Sequence, residues 1–159
     1  MSRKLFGPFP SVAFHKQIGR DSMPPLQVSY SGELTVGVTS APFGVAARGA
    51  KVADVWMSVG ASGKDDAYSL QVTGEVYING TTCLSTRPSI AHVSGEASQQ
   101  KTTRVTGDTG IAQAVIDPDA NTVTDGDVLT YDLTLVRTAS PTTEISNVFM
   151  VVELEPIIG

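Results

Sequence analysis

After Pro25 the chain alternates apolar and polar residues with a period of two, the repeat of a β-strand with one buried face. Val28, Tyr30, Gly32, Leu34, Val36 and Val38 share one parity, and Gln27, Ser29, Ser31, Glu33 and Thr35 the other, which predicts a half-buried strand. Val55, Met57 and Val59 alternate with Asp54, Trp56 and Ser58. Leu70, Val72, Val76 and Ile78 alternate with Gln71, Thr73, Glu75 and Tyr77. Each run predicts a strand with a single core face, and almost nothing in the chain carries a helical period.

Asn79-Gly80 suits a type I′ turn, because both central residues need positive φ, and it leads directly into Thr81 to Leu84. A hairpin is predicted there. Ile111 to Ile116 is apolar on both parities, as for a strand covered on two sides, and ends at Pro118-Asp119. After Asp125-Gly126, Leu129, Tyr131, Leu133 and Leu135 oppose Thr130, Asp132 and Thr134. Val148, Met150, Val152 and Leu154 then alternate with Phe149, Val151 and Glu153 before Pro156. Seven or eight strands with polar connections predict an all-β fold, an antiparallel β-sandwich over residues 27–159. A jelly roll is the expected topology and an immunoglobulin-like sandwich the alternative. The polar stretch Ser85 to Arg104, with a strand hint only at Ile90 to Val93, is expected to be mobile or ordered by a partner, and Ala139 to Glu144 to be a shorter tip of the same kind.

Composition narrows the class. With 159 residues, 41% of them hydrophobic and 17% charged, the chain is one domain's worth and can bury a core. Cys83 is the only cysteine, which excludes an intramolecular disulfide and a four-cysteine zinc site and fits folding in a reducing cytoplasm. Arg3 and Lys4 open the chain, but Pro8, Pro10, His15 and Lys16 interrupt any apolar leader, and no stretch approaches the ~20 apolar residues of a membrane span. Neither secretion by a cleaved signal nor a membrane partner is expected.

The net charge of −5 divides unevenly. Residues 1–26 hold Arg3, Lys4, Lys16 and Arg20 against Asp21 alone, a net +3; the remainder sets seven Lys and Arg against fifteen Asp and Glu, a net −8. The basic segment also carries Phe6, Phe9 and Phe14 with Pro8, Pro10, Pro24 and Pro25, a composition that resists helix and central strand. It is expected to be an extended N-terminal arm whose apolar groups pack on their own domain or dock on a neighbour. Four dispersed cations ahead of an acidic body make a poor nucleic-acid footprint, and no nucleic-acid partner is expected.

Candidate chemistry is sparse. His15 and His92 are the only histidines, and a metal site with Cys83 would need three distant segments to converge. No Gly-x-Ser-x-Gly elbow supports a serine nucleophile, and the spacing in Gly44 to Gly49 is wrong for a phosphate loop. Asp117-Pro118-Asp119-Ala120-Asn121 matches the opening of a calcium loop, but Thr122 and Val128 stand where that loop requires Gly and Glu. Asp125 and Asp127, like Asp65-Asp66, are read as turn residues. Trp56 and the tyrosines offer rings for stacking on sugars, although core or interface packing is the commoner use. No enzyme activity, cofactor or metal is expected.

The segment Tyr77-Ile78-Asn79-Gly80-Thr81-Thr82-Cys83-Leu84-Ser85-Thr86-Arg87-Pro88-Ser89-Ile90 resembles a recurring element of tailed-bacteriophage virion proteins. Asp125-Gly126-Asp127-Val128-Leu129-Thr130-Tyr131-Asp132-Leu133-Thr134, with Val148 to Pro156, resembles the closing strands of the same modules. These modules occur in capsid decoration (cement) proteins, head fibres and tail-fibre parts. The resemblance covers residues 50 to 156 and implies a homotrimeric jelly roll on the outer surface of a capsid, bound to the major capsid protein and stabilising it by bridging subunits. It supplies no catalytic residues. Outside the resemblance, Phe6, Phe9 and Phe14 are the expected apolar anchors of a capsid-binding arm, and Arg3, Lys4 and Lys16 its contacts to acidic groups. The alternative is a phage fibre or receptor-binding module that recognises a host-surface glycan.

Overall fold

The computed structural model describes residues 23–65, 69–138 and 140–157. Arg3, Lys4, Phe6, Phe9, Phe14, His15 and Lys16 lie outside them. Among the described residues thirteen strands follow one another: β1 (Leu26–Glu33), β2 (Val38–Val45), β3 (Ala50–Lys64), β4 (Gln71–Ile78), β5 (Thr81–Thr82), β6 (Leu84–Thr86), β7 (Ser89–Ala91), β8 (Lys101–Thr102), β9 (Ile111–Ala112), β10 (Val115–Ile116), β11 (Thr122–Val123), β12 (Val128–Val136) and β13 (Thr143–Pro156). No helix occurs among the described residues. The protein is an all-β, antiparallel sandwich. One sheet runs β1-β13-β3-β11 with β8 also paired to β3, the other runs β2-β12-β4-β7-β9 with β5 paired to β4, and β6 and β10 form a small ribbon.

Register explains the core. Along the longest ladder Val148 faces Val59, Met150 faces Met57 and Val152 faces Val55, so apolar residues of both strands fall on one face. In the second sheet β12 pairs with β4 over eight residues, which aligns Leu129 with Ile78 and Leu133 with Gly74. The inward residues Val72, Val76, Leu129, Leu133 and Ile90 join those of the first sheet in one buried cluster. Gly74 sits where the sheets press closest: a Cβ there would meet Met150 Cε at 2.9 Å and Met57 Sδ at 3.3 Å, so the two methionines occupy the space a side chain would take. Asn79 and Gly80 both have positive φ, at 49° and 82°, and close the predicted hairpin between β4 and β5.

Four expectations are corrected. The single parity run from Val28 to Val38 is two strands in opposite sheets: β1 loses register between Tyr30 and Glu33, and Gly37 packs so closely on the Leu133 carbonyl that a Cβ would stand 2.8 Å from it. Leu34, between them, is buried and donates its N–H to Ile145 O, while Val36 points to solvent. Ile111 to Ile116 is likewise divided, because β9 pairs with β7 whereas β10 pairs with β6, and Val115 is exposed. Asp65 is no solvated turn residue: it is buried and accepts hydrogen bonds from Thr138 N at 3.3 Å and Thr138 Oγ1 at 2.5 Å. Asp66 lies outside the described residues. Finally, Ser85 to Arg104 is organised by its own chain, since it contributes β7 and β8 and carries the buried Lys101.

Candidate functional site

Three places gather side chains with functional potential. The first is where the N-terminal segment joins the sandwich. Met23, Pro24, Leu26, Val45, Ala46, Ala47, Arg48 and Leu154 line a hollow of about 200 Å³ whose walls are mostly apolar. Strand pairing builds it: Leu26 is held opposite Val152 at the end of β1, next to Leu154 of β13, while β2 brings Val45 opposite Val128. Val45 and Val128 are both exposed there, as is Ile157, whose N–H reaches Gly49 O. Of the lining residues only Leu154 was legible in the sequence as a strand residue; Leu26 and Val45 were not singled out, and the hollow itself depends on the approach of three strands.

The second is the outer face of the β1-β13-β3 sheet. Trp56 and Phe149 lie 5.9 Å apart between ring centroids. The Arg104 guanidinium stands 5.0 Å over the Trp56 ring, and its Nη2 is 3.1 Å from Glu153 Oε1, which also accepts a hydrogen bond from Trp56 Nε1 at 3.3 Å. Val151, opposite Trp56 in the ladder, is buried on this outward parity. One ring face of Trp56 thus carries a cation and its single donor is engaged. Among the tyrosines, Tyr131 packs edge-on against Phe43 at 5.2 Å, Tyr30 packs against the core, and Tyr77 bonds Asp132; Tyr68 lies outside the described residues. The structure does not bring Trp56 and the described tyrosines together on one ring platform.

The third is the outer face of the other sheet. Glu75 and Asp132 are directly opposite each other on β4 and β12. Glu75 is buried, accepts hydrogen bonds from Thr82 Oγ1 at 2.6 Å and Val76 N at 3.2 Å, and pairs with Arg87. Asp132 accepts from Ser40 N at 2.6 Å and from Tyr77 OH at 2.9 Å. Burial, the hydrogen bond to Asp132 and the two carboxylates raise the Tyr77 hydroxyl above its usual range, whereas the hydrogen bond to Glu75 holds Arg87 still more firmly protonated. Cys83 lies beneath this face; burial first, then the charges of Glu75 and Asp117, push its thiol up to about 12, so it is a structural thiol and not a nucleophile.

Of the residues weighed for a metal, His15 lies outside the described residues. Cys83 Sγ lies 3.5 Å from Val76 O, and His92 Nε2 lies 3.2 Å from Glu96 O. Among the described residues no group of three or more His, Cys, Asp and Glu side chains is placed to hold a metal ion. In the calcium-like stretch Asp117 Oδ1 accepts from Asp119 N at 3.0 Å, and Asp127 accepts from Thr124 N and Asn79 Nδ2, both at 2.7 Å. Those two donors, the backbone N–H first, hold the Asp127 carboxyl below its ordinary range, as turn-capping predicts. No helix among the described residues is long and apolar enough to cross a membrane. No protein-family model, curated protein or solved structure matches the chain.

Proposed function

We propose that this chain is a structural virion protein that binds the outer surface of a phage capsid and stabilises it by bridging major capsid protein subunits, as a homotrimer. The observation that carries this reading is the placement of the two segments that resemble phage modules. They are remote in sequence, yet Tyr77 and Ile78 of the first pair with Thr130 and Leu129 of the second, and the closing strand β13 packs across the core from them. We also read the sandwich as a jelly roll. The strand orders β1-β13-β3-β8 and β2-β12-β4-β7 support it, because β1 to β4 alternate between the sheets and β8, β12 and β13 alternate again on the way back, each of β12 and β13 entering between two earlier strands. On this reading the arm, with Phe6, Phe9 and Phe14 and with Arg3, Lys4 and Lys16, makes the capsid contact. Each copy needs only modest affinity when bridging makes release cooperative.

A glycan-reading fibre module has less support, because Trp56 is covered by Arg104 and its indole N–H is committed to Glu153. The test is immunogold labelling of intact particles from the source lysate with antibodies to this chain. Uniform label over heads is expected, and label confined to tails moves the function to host recognition. Deleting residues 1–22, which spares Leu26 and its pairing with Val152, is expected to abolish capsid retention while the sandwich stays folded.

A further inference from the structure

We propose that the apolar hollow at the start of β1 is the seat of Phe14 from the same chain. Its volume of about 200 Å³ exceeds the ~150 Å³ cavity that suffices for a benzene ring, and its walls present little that is polar. Exposed apolar groups gather round it, with Val45 and Val128 paired across β2 and β12 and Ile157 beside Gly49. Of these Val45 lines the hollow itself, and an apolar occupant would remove it from water.

The occupant follows from where the chain enters. Met23 and Pro24 form part of the wall, so residues 1–22 begin at the lip of the hollow. That segment holds Phe6, Phe9 and Phe14, and Phe14 is nearest, nine residues from Met23, or about 30 Å of extended chain. Between them Gly19, Asp21 and Ser22 are residues that favour chain reversal. Closing this loop costs less entropy than closing the longer ones to Phe9 or Phe6, and a tethered ring has a high effective concentration that a separate molecule lacks. Phe14 therefore fastens the proximal arm to the sandwich. Phe14 is thereby withdrawn from the capsid contact, which is left to Arg3, Lys4, Phe6, Phe9 and Lys16, a consequence that alone rests on the proposed function.

The test is a cysteine cross-link in the full chain carrying Ala13→Cys and Ala47→Cys, with Phe14 kept and each single substitution as control. Cys83 stays in place, since it is buried. Mild oxidation is expected to give a cross-link within one chain, which migrates as a monomer and loses both new thiols. Covalent dimers would overturn the assignment in favour of a second copy's arm, and no cross-link would overturn the seat altogether. As a second measurement, Phe14→Ala is expected to speed tryptic cleavage after Lys16 and Arg20 about tenfold over Phe6→Ala. Equal rates in the two variants would also sink the idea. Neither readout involves a capsid, so failure of the seat and failure of the virion reading are separable.

Discussion

The two outer faces of the sandwich pose the same electrostatic problem and solve it differently. On one, Asp54 and Glu153 oppose each other across β3 and β13; on the other, Glu75 and Asp132 oppose each other across β4 and β12. Like charges directly opposite destabilise a ladder unless something neutralises them. In both cases an arginine from the segment between β6 and β9 supplies the positive charge, Arg104 to Glu153 and Arg87 to Glu75. The first pair is a surface pair, its side chains 55% and 39% exposed, and Arg104 gains most from the Trp56 ring beneath it. The second sets an Arg 59% exposed against a Glu only 5% exposed. Identical chemistry thus has unequal energetic weight, because only Glu75 has left water.

One buried cation holds the segment that delivers both arginines. Lys101 Nζ, with no exposed side-chain surface, donates to Ala91 O at 3.1 Å and Thr109 O at 2.7 Å and pairs with Glu96 at 2.6 Å. Glu96 also accepts from the Thr109 hydroxyl. Lys101→Met, which strands two carbonyls and Glu96, is therefore expected to have the largest effect, about 3 to 5 kcal/mol in urea denaturation. It should accelerate hydrogen exchange between His92 and Gly110. A loss below 1 kcal/mol would show that the clamp does not hold the segment.

Arg87→Ala is expected to cost about 2 kcal/mol, below the usual loss for breaking a buried pair because Arg87 is largely solvated and Thr82 and Val76 still donate to Glu75. Arg104→Ala should cost about 1 kcal/mol or less, most of it the contact with Trp56. Equal losses for the two arginines would erase the distinction between the faces. Gly74→Ala tests the core both faces share: it must displace Met150 Cε, and a loss of about 1 to 3 kcal/mol in thermal unfolding is expected.

The alkaline limb separates the faces with a smaller effect. Cys83, under the Glu75 face, has its thiol pushed from 9.0 up to about 12 in the folded state. A raised folded value means that the fold keeps a proton that the unfolded chain loses, so this contribution is intact below pH 9.0 and declines as pH rises toward about 12. Tyr77, also raised, acts in the same direction. Comparing urea midpoints at about pH 8 and about pH 10.5, the decline should be shallower for Cys83→Ala than for the parent chain. An unchanged slope would place the alkaline sensitivity elsewhere.

Period-two alternation was enough to locate β3, β4, β12 and β13 in the sequence, because a strand that buries one face must repeat every second residue whatever it packs against. Asn79-Gly80 marked its hairpin for an equally local reason, the positive φ that few residue pairs accept. Nothing local divides Val28 to Val38 between two sheets; the close approach of Gly37 to Leu133, almost a hundred residues away, decides that. Glu75, Asp65 and Lys101 look like surface charges in sequence, and each is buried by distant or looping segments that also provide its hydrogen bonds. The arm's composition and charge were legible from the sequence, whereas the hollow at its root exists only where β1, β2 and β13 meet. Alternation and turn chemistry are properties of neighbours along the chain and can be read in order; burial of a charge or the opening of a hollow depends on which remote segments arrive there, and tertiary packing alone settles that.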